Sequence, residues 1–185
     1  MEYTQALEIA TRLLEKLEPF CDRAAIAGSV RRKKPVVHDI EICAIPKMTT
    51  GRNLFNEPVL THDISHAVSG FGRFIKNGPR YKQIYLPEGI ILDLFLVIPP
   101  AQWGYLLSLR TGPADFSRLL VTPRQKRGWL PSHSKAIDGM VVTGQTRVLM
   151  PEEVDYFEFC GLPFIEPEKR EDYLKDYQAR RVFHG

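Results

Sequence analysis

Residues 90–98 read Ile-Ile-Leu-Asp-Leu-Phe-Leu-Val-Ile, and the single carboxylate in that run, Asp93, constrains the chain more than any other residue. An apolar segment of this length, entered from Gly89 and closed by Pro99-Pro100, suits a buried strand and is about half a membrane span. Burying an unpaired carboxylate is costly, so Asp93 requires a cation, a hydrogen-bond network or an open face. Two arrangements satisfy it. Either a neighbouring strand shares a cation-binding face with Asp93, or Asp93 lies on the solvent side of an edge strand.

A second pair of carboxylates favours the first arrangement. Asp39-Ile40-Glu41 follows Val36-Val37 and lies in a strand-like stretch that Pro46 closes. Spacing i, i+2 in a strand puts both acids on one face, roughly 6–7 Å apart along the backbone. Upstream, the apolar run Ala24–Ala27 gives way to Gly28-Ser29-Val30-Arg31-Arg32. A Gly-Ser turn opening a short helix offers free N–H groups and a hydroxyl to a phosphate. Carboxylates beside a phosphate cradle suit Mg²⁺ and phosphoryl transfer from a nucleotide.

The remaining pattern mixes helices and strands. Residues 2–18 carry Ala6, Ala10, Leu13, Leu14 and Leu17 at helical spacing, and Pro19 stops them. Strands are predicted over 23–27, 36–45, 74–76, 80–86 and 90–98, with Pro87-Glu88-Gly89 turning the last two into a hairpin. Gly51, Asn53, Asn56 and Pro58 suggest a loop within 48–72, with a helix over 63–68. Beyond Pro99-Pro100, a buried helix over 103–109 precedes a second helix begun by Thr111-Gly112-Pro113, with Phe116, Leu119 and Leu120 on one face. Short strands at 129–130 and 140–143, a helix near 152–160 and a polar end from Glu168 complete the reading.

Composition is that of a globular protein, 44% hydrophobic and 25% charged over 185 residues. Cys21, Cys43 and Cys160 are odd in number and lack metal-ligand spacing, so three free thiols in a reducing compartment are expected, cytoplasmic or nuclear. No secretory signal or membrane span is read. The net charge of +3 is segregated. One basic cluster covers Arg23 and Arg31–Lys34, and another covers Arg110, Arg118, Arg124, Lys126, Arg127 and Lys135. Segregated positive charge suits DNA or RNA.

Gly28-Ser29, nine residues, Asp39-Ile40-Glu41 and then Asp93 resemble the nucleotidyltransferase superfamily. The paired Arg31-Arg32, the Thr111-Gly112 turn with Phe116 following, and the segment from Glu152 through Gly161-Leu162-Pro163-Phe164 to Glu171 resemble family X DNA polymerases in particular. The resemblance covers about residues 23–173. It implies an α+β protein with a nucleotidyltransferase palm over 1–99, a mixed sheet with helices on one face, and a small α/β thumb over 100–185 that binds nucleotide and DNA. The implied activity is DNA-directed DNA synthesis, by two-metal nucleotidyl transfer from a dNTP to a primer 3′-hydroxyl, in short gap filling during repair. The alternative is a template-independent nucleotidyltransferase acting on a nucleic-acid end or a protein.

Carried over by position, Asp39 and Glu41 hold both metal ions and Asp93 the one at the primer end. The ions are Mg²⁺, with Mn²⁺ as a substitute. Gly28, Ser29, Arg32, His38, Leu109, Arg110, Thr111 and Gly112 line the nucleotide, and Lys126 and Arg127 contact DNA. The partners are primer-template or gapped DNA and nucleoside triphosphates, with no membrane and a monomeric chain. Several positions depart from the family. Glu41 replaces an Asp, and His38 stands where a Gly is common, either to contact phosphate or to fill space. Ile91 replaces an arginine that orients the third Asp. Leu109-Arg110 replaces an aromatic pair that screens the sugar, and Ala114 and Val121 replace polar contacts to the base and template.

Overall fold

The computed structural model describes residues 1–52, 55 and 57–182. In chain order its elements are α1 (Tyr3–Leu17), β1 (Cys21–Ile26), α2 (Gly28–Arg31), β2 (Asp39–Pro46), β3 (Thr49–Arg52), β4 (Pro58–Thr61) and α3 (Ile64–Ala67), then β5 (Arg73–Asn77), β6 (Tyr81–Tyr85), β7 (Ile91–Leu96), α4 (Trp103–Thr111) and α5 (Ala114–Val121). β8 (Ser134–Ile137), β9 (Met140–Thr143), β10 (Thr146–Val148), α6 (Glu153–Phe159) and α7 (Arg170–Val182) follow. The class is α+β. Two compact units form, one from Met1–Ile26 with Val36–Ile98, the other from Ala27–Pro35 with Pro99–Gly185.

The first unit is built on a five-stranded mixed sheet of order β1-β2-β7-β6-β5, in which only β2 and β7 run parallel. The period-2 alternation of β2 and β7 buries Ile40, Ile42, Leu92 and Leu94 completely. α1 packs on β1 and β2 with the stripe Ala6, Ile9, Ala10, Leu13 and Leu17, all buried. Pro19 lacks the N–H a longer helix needs, and a 3₁₀ turn over Glu18–Phe20 hands the chain to β1. β7 lies between β2 and β6, so Asp93 is on a central strand and the edge-strand alternative is excluded. The predicted hairpin around Pro87-Glu88-Gly89 forms, with β6 antiparallel to β7.

Two local readings need correction. Within the expected loop, β3 and β4 pair antiparallel, Thr49 opposite Thr61, with their hydroxyls 3.2 Å apart. Gly51 and Pro58 are therefore strand residues, while Asn53 and Asn56 lie outside the described residues. Trp129-Leu130 makes only an isolated bridge, Leu130 to Pro123, because both backbone N–H groups turn back to the carbonyls of Leu119 and Thr122.

The second unit packs α4, α5, α6 and α7 with the three-stranded sheet β10-β9-β8 around an aromatic core. The Phe116 ring lies 4.9 Å from Trp129, 5.9 Å from Phe157 and 6.5 Å from Tyr173. The polar end expected from Glu168 is the thirteen-residue helix α7. Its inward residues include Leu174, which is buried, and Arg170, which has no exposed surface. The same face carries Tyr173 and Tyr177, partly buried against the core, but it opens on a charged residue, which masks the short apolar period. None of the three cysteines is in a disulfide, as expected, and all three are buried.

Candidate active site

The acids occupy one face of the first unit's sheet. Glu41 and Asp93 are direct neighbours in the parallel β2–β7 pairing, and Asp39 lies opposite Ile91 one step along. Partners in a parallel pair project to the same side, and strands are spaced about 4.8 Å apart. Asp39, Glu41, Ile91, Asp93, Tyr81 and Gln83 are all intermediate in exposure, so this face stays partly open to water.

Asp93 is not left unpaired. Its Oδ1 accepts hydrogen bonds from the Tyr81 hydroxyl at 2.6 Å and from Gln83 Nε2 at 3.0 Å. Both donors stand on β6, on the opposite side of Asp93 from Glu41. Among the described residues, no group of three or more His, Cys, Asp or Glu side chains is gathered closely enough to hold a metal ion. Asp93 is engaged through Oδ1 on its β6 side, away from Glu41. By type, the carboxylates of Asp39, Glu41 and Asp93 are the hard oxygen ligands that Mg²⁺ takes, but as they stand they do not converge on one point. The same face continues to the edge strand, where Lys76 pairs with Gln83 and Arg73 with Tyr85. Lys76 Nζ stands 5.6 Å from the Tyr81 ring centroid, and the Arg73 guanidinium 5.8 Å from that of Tyr85.

The Gly28-Ser29 turn belongs to the second unit. Gly28 has φ +60°, the left-handed region that glycine enters without strain. The Ser29 hydroxyl oxygen is buried and has no hydrogen-bond partner. The basic residues after it are tied to the surrounding helices. Arg31 donates to Thr111 Oγ1 at 2.6 Å and to Glu153, and Arg32 donates to the Thr111 carbonyl. Lys33 pairs with Glu168 at 2.8 Å and Lys34 with Glu171 at 2.6 Å. Gly112 has φ +66°, and a Cβ there would stand 2.9 Å from Arg32 Nη1, so glycine makes room for that guanidinium.

Glu153 is the hub of this network. It faces Arg31 and also accepts from Arg170 Nη2 at 3.0 Å. Arg170 further donates to the carbonyls of Ile165 and Ser108, and the Phe157 and Phe116 rings flank it at 5.0 and 5.5 Å. Burial pushes the Arg170 guanidinium below its ordinary value, and Glu153 opposes that shift.

The other predicted residues fall in place as follows. His38 is exposed in the bend before β2. Leu109 is half-buried and Arg110 exposed on α4, while Thr111 and Gly112 are buried at its end. Lys126 ends an exposed 3₁₀ turn that starts at Arg124, and Arg127 follows it with φ +67°. Tyr81, Gln83 and Glu153 went unread in the sequence, and Arg170 was read only as part of the segment that closes the resemblance. Tyr81 and Gln83 carry one available signal, an alternation on β6 that matches the parity of Asp93 across the hairpin.

No family model and no curated protein matches the sequence. In structure, 227 chains match. One is the crystal structure of Leishmania infantum polymerase beta in a ternary P/T complex, with TM-score 0.67 and 16% identity over 92% of this chain and 76% of that one. The fold is polymerase beta-like. Coverage that broad takes in both units of the chain, and at that identity the likeness is one of fold. Among the described residues no helix is long and apolar enough to cross a membrane.

Proposed function

We propose that the chain is a nucleotidyltransferase, and specifically a DNA-directed DNA polymerase of the family X kind that fills short gaps in repair. The single observation that carries this reading is the acid face, with Glu41 and Asp93 side by side on parallel strands of a polymerase beta-like sheet and Asp39 one step away. The buried, unpartnered Ser29 hydroxyl adds to it, since a phosphate oxygen is the partner such a group lacks. In this reading residues 1–99 act as palm and 100–185 as thumb, although Ala27–Pro35 fold with the second unit.

Asp39 and Glu41 would hold two divalent ions, Mg²⁺ or Mn²⁺, with Asp93 sharing the one at the primer end. Bound there, the ions would lower the pKa of the primer 3′-hydroxyl and offset charge on the triphosphate. The reaction forms a bond from the 3′-oxygen to the α-phosphorus and breaks the α–β bridge, releasing pyrophosphate. The chain's own part is positioning. Gly28, Ser29, Arg32 and His38 bind the triphosphate, while Leu109, Arg110, Thr111 and Gly112 bound the nucleoside. Lys126 and Arg127 contact the DNA backbone, and Arg73 and Lys76 add positive charge to the acid-bearing face. The chain works as a monomer on primer-template or gapped DNA, inside the cell.

One observation favours a second reading, template-independent transfer to a nucleic-acid end or a protein. Leu109 and Val121, at two positions assigned to sugar and template contact, carry no polar group and line a mostly apolar groove that Ser134 and Lys135 also border. Primer extension on gapped, recessed and single-stranded substrates, with each dNTP and NTP, separates the two. Templated incorporation on gapped DNA, lost in Asp93→Ala, supports the polymerase. Equal incorporation with and without a template strand supports the alternative, and no incorporation on any substrate rejects both.

A further inference from the structure

We propose that Tyr81 and Gln83 are positioning residues for Asp93, fixing its carboxylate through Oδ1 and leaving Oδ2 as the oxygen offered to a divalent cation. The inference rests on the nucleotidyltransferase reading and deepens it. Both donors reach the same oxygen, at 2.6 and 3.0 Å, and both come from one side, strand β6. Both are neutral, so they orient the carboxylate without cancelling its charge. The register makes this possible. Gln83 is the direct cross-strand partner of Asp93, and Tyr81 lies two residues away on the same face.

The Tyr81 hydroxyl is itself held in place. Its ring stacks on Phe95 with centroids 5.1 Å apart and 24° between planes. From the edge strand, the Lys76 ammonium lies over the same ring. These contacts on the ring favour the position in which the hydroxyl meets Asp93. Ile91, two residues before Asp93, is aliphatic and offers it no hydrogen bond, whereas Tyr81 and Gln83 on the neighbouring strand do. Hydrogen bonds from outside the coordination sphere commonly set the direction and basicity of a metal-binding carboxylate, and removing one typically costs 10–100-fold in affinity or activity.

The test is Mn²⁺ binding to the full chain without nucleotide, followed by the electron paramagnetic resonance signal of free Mn²⁺. The proteins are wild type, Tyr81→Phe, Gln83→Leu and Asp93→Asn. Tyr81→Phe keeps the ring on Phe95 and removes only the hydroxyl. The expected result is Mn²⁺ affinity weakened at least about tenfold in Tyr81→Phe and in Gln83→Leu, with both variants still folded at the assay temperature by circular dichroism. In extension assays the metal concentration for half-maximal rate should rise in step while the KM for dNTP stays put. Unchanged or tighter Mn²⁺ binding in Tyr81→Phe, with Asp93→Asn still weakened, overturns the inference and leaves the site reading standing. Equal Mn²⁺ binding by wild type and Asp93→Asn overturns both.

Discussion

Replacing Glu153 by alanine should cost more stability than any single loss on the second unit's surface, and the structure sets the scale. Arg170 has no exposed side-chain area and Glu153 only 7%, so their ion pair at 3.0 Å is shielded from water. In Glu153→Ala the Arg170 guanidinium keeps two carbonyls and two ring faces but has lost its carboxylate counter-charge. Breaking one partner of a buried pair in this way costs about 3–5 kcal/mol. Arg31 adds little to that figure, because its side chain is 24% exposed and water takes up part of its charge. Against a typical stability of about 5–15 kcal/mol, the variant should be close to unfolding at elevated temperature. Glu153→Gln keeps an acceptor while losing the charge, and should cost about 1–3 kcal/mol. Arg170→Met combined with Glu153→Ala removes the orphan, so the double variant should lose clearly less than the sum of the singles. Urea unfolding followed by tryptophan fluorescence reads the relevant unit, since Trp103 and Trp129 both lie in it. A cost under about 1 kcal/mol for Glu153→Ala, or strict additivity in the double variant, refutes the buried-pair argument.

Two further outcomes follow from other parts of the molecule. Lys82 is 2% exposed, donates to Asn77 and the Gly78 carbonyl, and is held by burial below the ordinary lysine value of 10.5. Between the folded and ordinary values the unfolded chain carries more protons, so stability should rise with pH across that window, by at most about 1.4 kcal/mol per pH unit. Chemical unfolding at stepped alkaline pH should show that slope in wild type and its loss in Lys82→Met, whereas identical slopes refute it. Lys126 and Arg127 are exposed, and their joint replacement by alanine should weaken DNA binding about equally for all sequences and reduce the salt slope by about two. Fluorescence anisotropy across a salt series measures this, and an unaltered slope removes both residues from the interface.

How much could be read beforehand depended on how local the determining interactions are. The hairpin over 81–96 was legible because a Pro-Glu-Gly turn separates two strand-like runs, and such a pair forms from neighbouring residues. α1 was legible because its buried stripe is purely apolar. α7 was not, because Arg170 takes a core position and is accommodated by Glu153, seventeen residues upstream, and by aromatic faces from α5 and α6. The β3–β4 pair was hidden in a stretch punctuated by glycine and proline. Its local hint was the β-branched Thr49, Thr50, Val59 and Thr61.

For the candidate site, the order of residues alone determined the chemistry on offer. Asp39 and Glu41 must share a face of a strand, Asp93 must interrupt an apolar one, and Gly28 permits a turn that bears a hydroxyl. These follow from side-chain alternation and backbone sterics, which act within a few residues. The tertiary structure decided the rest. Strand order made β7 central and set Glu41 beside Asp93, and β6 turned Asp93 toward Tyr81 and Gln83. It also bound the basic run after Ser29 to Thr111, Glu153 and Glu171 instead of leaving it free in solvent. Pairing and register are chosen by the burial of whole faces at once, a global sum that no single stretch of the chain contains.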